Sequence, residues 1–124
     1  MIFLDTHVVA WLYAGEVERL SRRAVELIEG DDVAISPIVA LELQYLRESK
    51  ILTTDPALVL ETLRSDMGLM VHAAAFESVV LEAVTQTWTR DPFDRIITAH
   101  AVMAKAPLLT KDRTIRRHCK LAKW

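Results

Sequence analysis

Only one cysteine, Cys119, occurs among the 124 residues of the chain. A single thiol can form neither an internal disulfide nor a thiolate metal cluster, which agrees with a reducing compartment. No apolar run approaches the roughly 18–20 residues that a transmembrane helix needs, and residues 1–7 lack the features of a signal peptide. We therefore expect a cytoplasmic protein with no membrane association.

Several common site signatures are also absent. The chain has no GxGxxG or GxxxxGK[ST] loop for nucleotides and no GxSxG elbow for a serine hydrolase. Its four histidines do not have the HExxH spacing of a zinc enzyme. We interpret His7 and His100 as packing groups or as groups that contact the ligands of a site rather than the metal itself.

The net charge of −2 argues against nucleic acid as a partner, but its distribution is uneven. Residues 111–124 contain six basic side chains against the single acid Asp112. A solvated terminal surface explains this on its own. The alternative is that these residues contact the phosphates of a nucleic acid. It matches the simpler explanation only if cations bind to acids nearby.

A composition that is 52% hydrophobic, with 3 glycines and 4 prolines, is typical of one globular domain spanning residues 1–124. Short apolar strands are predicted at 2–4, 33–35, 69–71 and 107–110, with an edge strand at 121–124. Amphipathic helices lie between them, so the predicted fold class is α/β, a three-layer α/β/α sandwich with a central parallel sheet of four to five short strands.

Helix starts are marked by a capping residue followed by proline, and these pairs are Ser36-Pro37, Asp55-Pro56 and Asp91-Pro92. A further helix is predicted over residues 74–87. Its inward-facing residues are expected to be Phe76, Val79, Val80 and Val84.

Asp5 and Asp112 each follow an apolar strand. Because the carboxyl ends of parallel strands form the ligand-binding edge of such sheets, we expect these two acids to lie on the same edge. Each also has a simpler interpretation, Asp5 as a helix cap and Asp112 as a turn residue.

Glu42 lies at or beside the apolar stripe that Ile38, Leu41, Tyr45 and Leu46 define on one predicted helix. An acid there must be paired, protonated or bound to metal. A partly buried acid that meets Arg47 or another base is the alternative.

Asp91 and Asp94 occupy the cap and third positions of the last long helix. Capping accounts for Asp91. Asp94 shares a side with Ile97 and Ala101 and should point over the sheet edge near Asp5, so we assign Asp94 to direct metal contact and Asp91 to capping or a supporting role.

Three or four carboxylates around one or two hard cations can activate water and offset charge on a phosphodiester. Without a cation the same acids would repel one another and any nucleic acid. The pattern therefore favours a Mg²⁺ or Mn²⁺ site.

Four blocks, LDTHVVAW from Leu4, SPIVALEL from Ser36, RDPFDRIITAHA from Arg90 and PLLTKDRTI from Pro107, resemble the PIN-domain ribonucleases, most closely the VapC toxins of bacterial toxin–antitoxin pairs. The resemblance implies Mg²⁺- or Mn²⁺-dependent endonucleolytic cleavage of RNA and neutralisation by a cognate antitoxin. His100 stands where glutamine is common. The implied metal-binding and catalytic residues are Asp5, Glu42, Asp94 and Asp112.

The same resemblance assigns supporting roles around the metal to Asp91, Thr6, Thr110 and His7. Candidate contacts to the RNA backbone are Arg90, Arg95, Lys111, Arg113 and Arg116. Some of these basic residues are expected to pair with the acids instead.

Two other functions fit the same residues. The chain could be a metal-dependent DNA nuclease, because acids do not read the 2′-hydroxyl, or a non-catalytic protein-binding or co-repressor module of a toxin–antitoxin complex. Apolar residues on the helices after Pro37 and Asp55 further suggest a homodimer interface or an antitoxin groove. They are Tyr45, Leu46, Leu52 and Leu58.

Overall fold

A computed structural model describes all 124 residues of the protein. Its centre is a five-stranded sheet in which every neighbouring pair of strands is parallel, in the order β3-β2-β1-β4-β5. The strands are β1 (Ile2–Leu4), β2 (Val33–Ile35), β3 (Met70–Val71), β4 (Leu108–Leu109) and β5 (Ala122–Lys123).

Seven α-helices flank this sheet, and a short 3-10 turn follows the first of them. The helices are α1 (Thr6–Ala14), α2 (Arg22–Gly30), α3 (Ile38–Glu48), α4 (Pro56–Met67), α5 (Phe76–Thr85), α6 (Pro92–Ala104) and α7 (Arg113–His118), and the 3-10 turn is Val17–Arg19. None of the helices is both long and apolar enough to cross a bilayer.

The middle strand, β1, is buried on both faces, and its three residues are at most 1% exposed. Such a strand has no solvated face, which explains why its sequence is continuously apolar rather than alternating. The parallel α/β/α prediction is confirmed. The last three strands are shorter than predicted by one or two residues.

Two of the predicted proline-marked helix starts are capped as expected. Asp55 accepts a hydrogen bond from the Ala57 amide at 2.8 Å, and Asp91 accepts one from the Phe93 amide at 2.8 Å. These bonds satisfy backbone donors that the first helical turn leaves without partners.

Ser36 does not cap α3, and that prediction was wrong. Its hydroxyl lies 3.0 Å from Nδ1 of His100, which is 2% exposed, and α3 has no side-chain cap. A buried imidazole without a partner would be costly, so the hydroxyl serves the histidine rather than the helix end.

The inward face of α5 was also predicted too broadly. Val79 is buried, but Phe76 and Val84 are 73% and 62% exposed. Because α5 packs mainly on α6, through contacts that include Ala99, only one stripe of α5 is covered.

Candidate functional site

The site lies at the carboxyl end of the sheet, between β1 and β4. The chain runs from β1 to β2 and β3 on one side and then crosses to β4 and β5 on the other. Such a switch in strand order opens a crevice beyond the strand ends. Asp5 follows β1, and the Asp5 amide donates to the Leu109 carbonyl of β4 at 3.0 Å. The two strand exits are therefore adjacent.

Asp5 is fixed by a chain of hydrogen bonds across this junction. The Thr6 amide donates to Oδ1 of Asp5 at 2.8 Å, and the Thr110 hydroxyl donates to Oδ2 at 2.6 Å. The Thr110 oxygen in turn accepts from the Asp112 amide at 3.0 Å. Asp5 is 5% exposed, and its burial raises the pKa of the carboxyl above the usual range despite these donors.

An open cleft of about 360 Å³ lies in front of Asp5. It collects side chains from the strand exits, α1, α3 and α6. They are Asp5, His7, Trp11, Glu42, Asp91, Asp94, Lys111 and Asp112. The four acids assigned from the resemblance thus face one space, together with Asp91.

The charges of the neighbouring acids act on the pKa of Asp94. Partial burial, followed by the charges of the other four acids, raises the pKa of Asp94 to about 7. The carboxyl accepts no hydrogen bond from the protein, and none of the chain's ion pairs includes an acid of the cleft. No ion pair therefore offsets the repulsion around Asp94.

The pKa of Glu42, on α3, is also raised. Burial, together with the charges of Asp5 and Asp91, raises the pKa of its carboxyl. The Thr6 hydroxyl counteracts this rise in the pKa of Glu42, although it forms no hydrogen bond of good geometry with any group of the protein. Thr6 is thus a polar group available to support the site.

Asp91 and Asp112 each use one carboxylate oxygen as a helix cap. Oδ1 of Asp91 accepts from the Phe93 and Asp94 amides, and Oδ1 of Asp112 accepts from the Thr114 and Ile115 amides. In each residue the second oxygen makes no hydrogen bond within the protein. The capping interpretation of these acids therefore does not compete with a role in the cleft.

The donor set of the cleft suits a hard divalent cation. Its candidate ligands are carboxylate oxygens, which Mg²⁺ and Mn²⁺ prefer, and no cysteine lines the cleft. A cation would offset the repulsion that, after partial burial, raises the pKa of Asp94. No three of these side chains are drawn together at ligand distances, so the acids line an open cleft rather than a closed cage.

The basic residues predicted to contact RNA do not pair with the acids of the cleft. Lys111 lies in the cleft itself, and Arg90 and Arg95 line a shallow pocket beside Pro92. Arg95 donates through Nε to the Thr89 carbonyl at 2.7 Å. Arg113 and Arg116 are exposed on α7. None of these five residues forms an ion pair, contrary to the expectation that some would pair with the acids.

Trp11 also lines the cleft, although the sequence indicated no role for it in the site. It is half-buried, and its ring centre lies 6.1 Å from that of His7. His7 and Trp11 are four residues apart on a helix that starts at Asp5, so they share a helix face beside that acid. The four-residue spacing of His7 and Trp11 was the signal in the sequence that could have identified Trp11 as part of the site.

His100 does not reach the cleft. Its Nε2 lies 2.9 Å from Nδ1 of His72, and its Nδ1 bonds to Ser36, so the three polar residues join β2, β3 and α6 behind the site. Burial, and then the neighbouring His72, lowers the pKa of His100. These contacts tie α6, the helix that carries Asp94, to the residues that follow β2 and β3.

A parallel α/β sheet that gathers carboxylates at its switch point, with no nucleotide-binding loop, places the protein in the class of PIN-like folds. The chain belongs to the PIN-domain family, whose model matches residues 2–121.

Known relatives agree with this assignment. The chain is 34% identical to Ribonuclease VapC22 of Mycobacterium tuberculosis over 124 aligned residues, which cover 94% of this chain and 91% of the relative. Its fold resembles VapBC2 from Rickettsia felis bound to a promoter DNA fragment, with a TM-score of 0.67, 19% identity and coverage of 99% and 98%. It also resembles a toxin–antitoxin complex from Klebsiella pneumoniae, with a TM-score of 0.68, 16% identity and coverage of 100% and 97%.

Proposed function

We propose that this protein is a metal-dependent endoribonuclease toxin that acts in the cytoplasm and is neutralised by a cognate antitoxin. The observation that carries the proposal is the gathering of five acids in one cleft, with no cationic side chain paired to any of them. Similarity to a VapC ribonuclease over nearly the whole chain supports RNA as the substrate.

Asp5, Glu42, Asp94 and Asp112 would hold Mg²⁺ or Mn²⁺. When bound, such an ion supplies an activated water and neutralises developing charge on the phosphodiester. Thr110 orients Asp5 through its hydroxyl, and Asp91 fixes the start of α6 so that Asp94 faces the cleft. Thr6 and His7 would complete the polar surroundings of the acids.

The phosphate backbone of RNA would be held by Arg90, Arg95, Lys111, Arg113 and Arg116. These side chains carry no ion pair that binding would have to break. Binding that depends on phosphate neutralisation weakens steeply with salt, so the affinity for RNA should fall as ionic strength rises.

Removal of the metal is the direct test of this function. The purified protein is expected to cleave single-stranded RNA with Mg²⁺ or Mn²⁺ and to lose that activity in EDTA. Divalent cation should also raise the melting temperature, because a ligand that binds only the folded state stabilises it. Asp66→Asn, which removes an exposed acid on α4, is the matched control and should change neither result.

A DNA oligonucleotide of the same sequence, assayed in parallel, separates a ribonuclease from a DNA nuclease. Cleavage of DNA in preference to RNA would contradict the proposed substrate. Cleavage of neither, with no shift in melting temperature on adding cation, would instead indicate a protein-binding module.

The proposed antitoxin contact is a groove of about 340 Å³ beside the acid cleft. Apolar residues of α1 and of the segment from the end of α3 line it, among them Ala10, Leu46 and Leu52, and it shares His7 and Trp11 with the cleft. An amphipathic helix laid in this groove would reach the acids. Loss of cleavage on adding the product of a small neighbouring reading frame is the test.

The proposed homodimer surface is a second, more apolar groove between α3, α5 and α6. It has a volume of about 200 Å³, and Leu41 and Phe76 at its border are 46% and 73% exposed. Phe76→Asp is expected to convert a dimer to a monomer in solution, as measured by light scattering, and to leave the melting of the monomer unchanged. The same change at exposed Val17 is the control. A monomeric wild-type mass would contradict this assignment.

A further inference from the structure

One part of the lining of the acid cleft is aromatic. Trp11 is the one large apolar side chain among the eight residues that line the cleft. Its ring meets that of Trp124 edge to face, with centres 6.1 Å apart and planes at 65°, which fixes the plane of the indole. A flat π surface therefore stands beside the carboxylates.

Two cations lie over this indole, and they differ in how firmly they are held. The Arg19 guanidinium is 5.7 Å from the ring centre and is also paired with Glu16. The Lys111 ammonium is 5.8 Å from the ring centre, is exposed and has no ion-pair partner. Lys111 can therefore leave the ring for a phosphate without breaking an ion pair.

We infer that Trp11 is the base-stacking residue of the substrate site: an unpaired RNA base lies on its indole while Lys111 moves from the ring to an adjacent phosphate. The inference rests on the proposed ribonuclease function. Aromatic side chains bind single-stranded RNA in this way because every base presents a π face, whereas bases inside a duplex are already stacked. The two cations over the Trp11 ring favour RNA as its occupant when no antitoxin fills the neighbouring groove.

The test measures binding separately from cleavage. Asp94→Asn protein, which should not cut RNA, is titrated with a short labelled single-stranded RNA and followed by fluorescence anisotropy. Adding Trp11→Ala is expected to weaken binding on the order of tenfold, the usual effect of losing one base stack. Trp11→Phe should retain most of the affinity, because it keeps a π surface.

Trp88→Ala is the matched control, because Trp88 is also half-buried but stacks on His118 and does not line the cleft. It should leave the affinity unchanged. A series of RNAs that each lack one base adds a second readout. For the base that sits on the indole, base removal and Trp11→Ala should each weaken binding, and the two together no more than either alone.

Two failures are distinguishable. If the parent protein neither binds RNA nor, as wild type, cuts it, the proposed function is wrong and the inference fails with it. If the parent binds RNA and Trp11→Ala binds equally well, only the inference is overturned. Loss of antitoxin binding with unchanged RNA binding would likewise overturn it and assign Trp11 to a protein contact.

Discussion

Asp94→Asn is expected to reduce RNA cleavage by at least about a hundredfold and, above neutral pH, to make the protein more stable. Loss of a metal-binding carboxylate removes several kcal/mol of charge stabilisation in the transition state, which accounts for the fall in rate. The gain in stability arises because asparagine keeps the shape of the side chain and removes a charge that partial burial disfavours and that four other acids repel.

The pH dependence of the gain follows from the direction of the pKa shift. The folded-state pKa of Asp94 is about 7, against an ordinary value of 3.8, so between these values the folded protein binds more protons than the unfolded chain. Wild-type stability therefore decreases as pH rises through this window. The variant lacks that slope, and its advantage above pH 7 should be roughly 1–2 kcal/mol, since partial exposure screens the repulsion.

Urea unfolding at pH 5 and pH 8 in EDTA measures the effect. The advantage of Asp94→Asn should be present at pH 8 and much smaller at pH 5, and Asp66→Asn should show no such difference. Adding Mg²⁺ or Mn²⁺ should stabilise the wild type more than the variant. Equal stability of the two proteins at pH 8 would mean that Asp94 is not repelled, and retained cleavage would remove it from the site.

Thr110→Val is expected to have the second largest effect. Valine matches threonine in shape but cannot donate to Asp5 or accept from the Asp112 amide, so a buried carboxylate and a partly buried amide each lose a partner. We expect a loss of about 1–3 kcal/mol in unfolding free energy and about 10–100-fold in cleavage or metal affinity. The pKa of Asp5 should also rise further, because the Thr110 hydroxyl now holds it down.

Thr98→Val provides the control for this experiment. Thr98 and Thr110 are both fully buried, but the Thr98 hydroxyl has no hydrogen-bond partner. Its replacement should be neutral or slightly stabilising and should leave cleavage unchanged. A similar loss in both variants would show that the Thr110 effect comes from packing, and not from its link to Asp5.

The gathering of Asp5 and Asp112 could be predicted from the sequence because it depends on local patterns. Each follows an apolar strand, and the strands of a parallel sheet end at one edge. The sequence could not predict that Asp5 and Asp112 lie directly beside each other. That depends on the pairing of β4 with β1, and strand order is a property of the whole fold.

Helix faces were harder to predict where packing overrides periodicity. Leu41 and Tyr45 lie in an apolar pattern on α3, yet they are 46% and 50% exposed, whereas Val39 and Leu43 are fully buried. Tyr45 instead meets Phe93 of α6, with ring centres 5.2 Å apart. Glu42, between these faces, is half-buried. Trp11 was missed because its spacing on α1 is typical of a core residue, whereas in the structure it packs against the core and also borders the cleft.

The hydrogen bond between Thr110 and Asp5 joins residues 105 positions apart in the chain. During translation the first acid of the cleft therefore emerges long before the last. At roughly 5–20 residues per second, the interval is on the order of ten seconds. Until β4 has left the ribosome and paired with β1, the nascent protein has no complete acid set. The nuclease we propose would thus lack its assembled site for most of its own synthesis.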